Sequence, residues 1–274
     1  MTTPQKKEIV ISVKNVIKNF GSRRILNDVS LDIFQGETIV IMGGSGCGKS
    51  TFLRHLIGSI RPDSGEVWMF GKNIAKASED QMDEIRKKFG MLFQSGALFD
   101  SLSVGENIAL PLREHTKLDN SVISIVVKMK LELVGLRGFE NLMPSQLSGG
   151  MKKRVGLARA IVLDPTIVFY DEPTAGLDPV MTGVVDKLTM DLTKKLHMTS
   201  VVVTHDMNSV FRIADRIVML HEGNIIQIGT PQEIRNSKNP IVEQFITGEA
   251  EGPISFVQKG DDYLEQLTTE LKQS

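Results

Sequence analysis

The segment Gly43-Gly44-Ser45-Gly46-Cys47-Gly48-Lys49-Ser50-Thr51 fits the pattern G-x-x-x-x-G-K-[ST]. The pattern has a mechanism. Glycines let backbone amides converge on phosphate oxygens without Cβ clashes, and a helix N-terminus behind them adds the positive end of its dipole. Lys49 is then placed to reach the β and γ phosphates of a nucleoside triphosphate, and the Ser50 hydroxyl to ligate Mg²⁺, a hard ion that keeps several waters and takes few protein ligands. Further along, the apolar run Ile167-Val168-Phe169-Tyr170 ends in two adjacent carboxylates, Asp171 and Glu172, a costly choice beside a buried strand unless the charges are used. At the carboxyl edge of a parallel sheet these acids would lie beside the phosphate loop, Asp171 holding the Mg²⁺ shell and Glu172 polarising an attacking water. Taken without the loop, Asp-Glu-Pro would equally cap a helix that starts downstream.

Three more positions join this set by location. His205 closes the β-rich run Ser200-Val201-Val202-Val203-Thr204, so it emerges at the same sheet edge; its two readings are a polar contact to the γ-phosphate and an ordinary surface or core histidine. Gln94 follows Phe89 to Phe93 in the same way, against the reading of a solvated loop glutamine. Leu147-Ser148-Gly149-Gly150-Met151 precedes the basic run Lys152-Lys153-Arg154, so its glycines present free amides at a helix N-terminus, a second phosphate cradle in one chain. The charge run itself reads as a solvated helix face. Cys47 at a helix N-terminus is either an acidified, oxidisable thiol or a small residue that fits the loop.

The elements that must position these groups follow from periodicity. Ile9, Ile11 and Val13 alternate with other residues, and Val29, Leu31 and Ile33 repeat the pattern, which predicts half-buried antiparallel strands. Thr38 to Met42 is continuously apolar, as expected of a strand covered on both faces. Leu53, Leu56, Ile57 and Ile60 then fall at helical spacing, so residues 38 to 60 read strand, loop, helix. A helical lobe over about 95–165 is marked by two stripes, Val122, Ile125, Val126, Met129 and Leu133, then Val155, Ala158, Ile161 and Val162. The sheet resumes at Ile167–Tyr170, Ser200–Thr204 and Arg216–Leu220, with a helix starting at Pro179. The expected architecture is α/β: a phosphate-loop, RecA-like core over 1–247 with an antiparallel β subdomain and an α-helical subdomain. Gly248 to Pro253 then breaks to a tail over 248–274, in which Tyr263, Leu264, Leu267 and Leu271 share one face of a short helix that docks on a neighbour or frays in solvent.

Composition narrows the class. With 274 residues the chain can bury one sizeable core, and 32 basic against 33 acidic residues give no general attraction to nucleic acid or anionic lipid. No apolar stretch approaches the ~18 residues of a spanning helix, so membrane contact is expected through partners alone. The first residues lack a secretory pattern, the single cysteine excludes an internal disulfide, and there is no Cys/His cluster spaced for zinc.

Taken in order, Gly43 to Thr51, Gln94, Ser148 to Met151, Asp171-Glu172, Asp178 and His205 resemble the ATP-binding cassette family over about residues 8–247. The resemblance implies an ATPase using ATP and Mg²⁺, with Phe20 stacking on adenine and the loop from Gly43 to Thr51 holding the phosphates. It implies catalysis by Glu172, His205, Gln94 and Lys49, and metal ligation by Ser50, Gln94 and Asp171. It also implies that Ser148, Gly149, Gly150 and Met151 grasp the γ-phosphate bound by a twin subunit, with Asp178 at the dimer contact. Phe20 stands where the family often has tyrosine, and Met151 where it often has glutamine; the second change removes a polar side chain near the neighbouring nucleotide. Leu92 to Leu102 together with Leu147 to Met151 resemble the Mla type of cassette, which serves phospholipid trafficking. That type implies a homodimer of cassettes, transmembrane permease subunits, a small STAS-domain subunit, periplasmic lipid-binding subunits and a place on the cytoplasmic side of a bacterial inner membrane. A cassette for another cargo, such as an amino acid or a metal, is the alternative.

Overall fold

The computed structural model describes residues 8–254, so the apolar face expected over Tyr263 to Leu271 lies outside the described residues. The chain divides into two compact units, Met1–Ile234 and Arg235–Ser274.

The first unit contains two sheets. Strands β1 (Ile9–Phe20), β2 (Arg23–Phe34), β4 (Ser64–Met69) and β5 (Lys72–Asn73) form an antiparallel sheet in the order β2-β1-β4-β5. Val13 faces Leu31 and Ile11 faces Ile33 across β1 and β2, as the alternation predicts. Ile9 departs from it. A register shift between Ile9 and Ile11 turns Val10 into the core and leaves Ile9 46% exposed, because one extra residue reverses the side-chain alternation.

The second sheet runs β10-β9-β3-β8-β7-β6, from β10 (Asn224–Gly229) and β9 (Arg216–His221) through β3 (Thr38–Met42), β8 (Thr199–Val203) and β7 (Ile167–Asp171) to β6 (Phe89–Leu92). All pairings are parallel except β10 with β9. Every residue of β3 and β8 is buried, the pattern of strands covered on both faces. The order matters for chemistry. With Ile41 opposite Val203, Asp171 opposite Val203 and Leu92 opposite Tyr170, the residues after β3, β8, β7 and β6 emerge side by side at one edge.

Helices α1 (Lys49–Leu56) and α2 (Glu79–Arg86) precede a helical segment of α3 (Val104–His115), α4 (Asn120–Leu133) and α5 (Gly149–Ala160); α6 (Pro179–Lys195), α7 (Met207–Ile213) and α8 (Pro231–Arg235) follow. Helix α1 ends at Leu56 rather than near Ile60. Gly58 takes φ 68°, and a Cβ there would sit 2.5 Å from Met82 Cε, so the chain turns out of the helix at a position only glycine accepts. The α4 stripe is also reversed from expectation. Ile123, Val127, Lys130 and Leu131 face the core, while Ile125 and Met129 are 59% and 61% exposed. Both faces of α4 are rich in apolar residues, so period alone does not choose between them. Lys130 decides it by burying its stem and giving Nζ to Asp164 Oδ1 at 2.5 Å. The stripe on α5 is buried as expected, at Val155, Ala158, Ile161 and Val162.

In the second unit, α9 (Pro240–Thr247) is capped by Asn239 and ends at Gly248 with φ 72°. The Gln244 amide then fastens the following turn, donating to Glu249 O and Ile254 O and accepting from Ile254 N.

Candidate nucleotide site

Strand β3 delivers the chain into Gly43 to Gly48, and the backbone there demands glycine. Gly43 has φ 150° and a Cβ would lie 2.0 Å from Leu220 O; Gly48 has φ 109° and a Cβ would lie 2.8 Å from Ile25 O. No side chain caps α1, whose N-cap is Gly48, so its first amides are left for an anion. Lys49 Nζ donates to Gly43 O at 2.8 Å and to Gly44 O at 2.9 Å, curling along the loop. Ser45, Gly46 and Ser50 are exposed, and Arg23 and Ile25 line the same depression with Gly46, Gly48, Lys49, Ser50 and Thr51. Arg23 carried no motif and was not foreseen from sequence. Cys47 is buried, and desolvation pushes its thiol up against the smaller opposing effect of Lys49. The structure therefore overturns the acidified-thiol reading, because burial outweighs the helix end and the lysine.

Phe20 ends β1 and is 51% exposed, while Lys18 Nζ sits 5.5 Å from its ring centroid, itself held by Asp63 at 2.8 Å. That pairing leaves an open aromatic surface to stack a base and places a cation on the ring.

The acids stand at the end of β7. Burial, then the neighbouring Glu172, raises the Asp171 carboxyl, opposed by Arg54 and Lys49. Glu172 takes φ 47°, an uncommon conformation for a side-chain-bearing residue, and its amide donates to Val203 O at 2.8 Å, which ties the bend to β8. Its carboxylate is gripped from β8's end: Oε1 lies 2.9 Å from His205 Nδ1, and Oε2 accepts from Thr204 Oγ1 at 3.2 Å. His205 thus meets Glu172 directly. Thr204 was missed as a site residue; a hydroxyl beside a strand-end histidine was the signal. Gln94 is exposed after β6, and its loop is held by α5, with Arg159 donating to Gly96 O at 2.8 Å.

The second glycine run begins α5. Ser148 is the N-cap, its Oγ accepting from Met151 N at 3.3 Å, and Gly149 is exposed. Gly150 is buried where a Cβ would lie 2.8 Å from Met181 Cε and 3.8 Å from Leu177 Cδ2, so this run packs on the loop after Glu172 and on α6. Among the described residues no hydrogen bond joins Ser148–Met151 to the phosphate loop. Asp178, rather than the Asp-Glu pair, caps α6 by accepting from Val180 N and Met181 N. Beside it Val180 is 76% exposed and Val184 42%. Lys152 is partly exposed but Lys153 is only 5% exposed, so the charge run is not a uniformly solvated face.

A loop whose course needs glycine at Gly43 and Gly48, and a half-buried strand-end carboxyl at Asp171 beside it, both suit a metal-bound triphosphate. Among the described residues there is no cluster of three or more His, Cys, Asp or Glu side chains able to hold a metal, so phosphate oxygens and water would have to complete a Mg²⁺ shell drawn from Ser50, Gln94 and Asp171.

The family model described as ABC transporter matches residues 26–175, which include the glycine cradle, the second glycine run and the strand-end acids. The chain belongs to that family. This cassette is 43% identical to the intermembrane phospholipid transport system ATP-binding protein MlaF of Haemophilus influenzae, covering 94% of this chain and 98% of that one. It is 44% identical to MlaF of Escherichia coli K12, covering 93% and 94%. It is equally similar, at 45% identity over 93% of this chain and 73% of the other, to a protein of Mycobacterium leprae described as a probable ribonucleotide transport ATP-binding protein. Among solved structures, a dimeric ATP-binding cassette in a post-hydrolysis state bound to ADP and phosphate superposes with a TM-score of 0.75 at 33% identity, over 81% of this chain and 98% of that one. The cassette is an ATPase. Among the described residues no helix is long and apolar enough to cross a membrane.

Proposed function

We propose that two copies of this cassette pair head to tail and hydrolyse Mg-ATP at composite sites to energise phospholipid trafficking between bacterial membranes. The carrying observation is the clamp on Glu172, whose two carboxylate oxygens are met by His205 and Thr204 beside the glycine cradle. Mg²⁺, when bound, neutralises charge on the phosphates. The protein's own residues do the rest: Gly43 to Thr51 cradle the phosphates, Lys49 reaches β and γ, and Phe20 stacks on adenine. Gln94 and Glu172 orient the water, with Glu172 accepting its proton while His205 and Thr204 hold that carboxylate in place. Ser148 to Met151 close over the twin's γ-phosphate, and Asp178, with Val180 and Val184 exposed beside it, lies at the contact between copies.

Membrane contact comes through permease subunits at the cytoplasmic face of an inner membrane. A groove of about 470 Å³ lined by Phe89, Phe93, Phe99, Pro111 and His115 runs beside the Gln94 loop and suits such a partner. A STAS-domain subunit and periplasmic lipid-binding subunits complete the assembly. The near full-length similarity to MlaF supports the cargo. The similarly placed ribonucleotide-transport relative favours a second reading, a nucleotide cargo. Mass spectrometry of the tagged, detergent-extracted complex tests both: phospholipids with permease and lipid-binding subunits support the first, whereas bound nucleotides other than ATP and ADP, without lipid, support the second.

A further inference from the structure

We propose that Lys153 is a positioning residue that fastens α5 to the loop carrying Glu172, so that the Ser148–Gly150 cradle and the catalytic carboxylate of one chain are set as a unit. The inference rests on the function proposed above. Lys153 lies one helical turn beyond Gly149 and is only 5% exposed. Its Nζ donates to Ala175 O at 2.5 Å, and Ala175 N in turn donates to Glu172 O at 3.2 Å, closing the bend in which Glu172 takes φ 47°. Among the described residues no carboxylate stands within ion-pair reach of it.

A buried ammonium without a carboxylate is expensive, and desolvation lowers this one, with Glu172 the acid that opposes the effect. Such a cation suits the place where geometry must be imposed. The neighbouring contact is passive by comparison: Gly150 lets Met181 and Leu177 approach closely through apolar atoms that can slide. Lys153 adds the directional bond. Because Ser148 to Gly150 face the twin's nucleotide while Glu172 serves the chain's own, a shift of α5 on nucleotide binding in one site is transmitted through Lys153 to the water-orienting carboxylate of the other.

The test uses the full chain with the membrane subunits that co-purify with it, comparing wild type, Lys153→Met and Lys153→Arg. Methionine keeps the stem and the volume but removes the donor. The expected result is a kcat lowered about tenfold or more in Lys153→Met with KM within about twofold, and substantial recovery in Lys153→Arg. Binding of a fluorescent ATP analogue to the isolated chain should be unchanged in Lys153→Met. A kcat within about twofold of wild type overturns the proposal, as does a parallel loss of nucleotide affinity and melting temperature that arginine does not restore. A wild-type complex without Mg-dependent turnover would instead overturn the parent reading, and this one with it.

Discussion

His205 Nδ1 lies 2.9 Å from Glu172 Oε1, which joins the ends of two adjacent parallel strands by one side-chain bond. The register of β7 and β8 makes this possible: Asp171 pairs with Val203, so the first residue after β7 and the second residue after β8 meet above the sheet edge. Thr204 Oγ1 donates to the other carboxylate oxygen, Oε2, at 3.2 Å and itself accepts from Asp206 N at 3.1 Å.

If His205 holds Glu172 rather than merely occupying the surface, His205→Ala will lower kcat by about 10²-fold while KM moves little, the effect of misplacing a water-orienting group. His205→Gln, which keeps a donor, should recover part of the loss. Steady-state ATPase measurements decide it, and a His205→Ala rate within about threefold of wild type would contradict the clamp.

Asp171 makes a prediction about stability. Burial raises its carboxyl above the ordinary 3.8, so the folded chain holds the proton more tightly than the unfolded chain. Stability is then full below the unfolded value and declines as pH rises through the folded one, leaving the nucleotide-free chain under strain at neutral pH. Asp171→Asn should raise its melting temperature by roughly 1–3 °C and abolish the further rise given by Mg-ATP. A lowered melting temperature with Mg-ATP protection intact would oppose this.

His55 predicts acid sensitivity. It is 1% exposed, its Nδ1 lies 2.7 Å from Thr51 O, and burial lowers its pKa below the ordinary 6.5. A base depressed in the fold stabilises it above the unfolded value, and that stability drains away as pH falls from there toward the folded one. Melting temperature should fall between neutral pH and about pH 5.5, and fall less in His55→Asn, which keeps a donor toward Thr51 without the basic ring. Equal slopes in the two proteins would assign the acid sensitivity elsewhere.

Much of the site was legible because its residues obey strong local constraints. Gly43 and Gly48 are required by backbone approach, and Asp171, Glu172 and His205 each follow a continuously buried strand, so their convergence at one edge could be read from pattern alone. The misses share a cause: each was decided by tertiary contact. The exposed face of α4 was set by the Lys130–Asp164 pair, the end of α1 by Met82 behind Gly58, and the burial of Lys153 by the carbonyl of Ala175. Strands β4, β5 and β10 escape the pattern reading for separate reasons: β5 has two residues, β10 is a half-exposed edge strand with no continuously buried run, and β4 opens on Ser64-Gly65-Glu66 before its apolar residues begin. Of the two readings of Cys47, burial favours the small residue that fits the loop, and a motif alone does not show that burial.

The proposed mechanism needs a site completed by a second copy. Glu172→Gln should bind Mg-ATP without hydrolysing it and so hold the closed state, and analytical ultracentrifugation of this variant gives the direct test. The prediction is a species of two chains that needs both Mg²⁺ and ATP and dissolves when Ser148 is also replaced by arginine. A single-chain species at saturating Mg-ATP, or ATPase activity near wild type in Glu172→Gln, would contradict it.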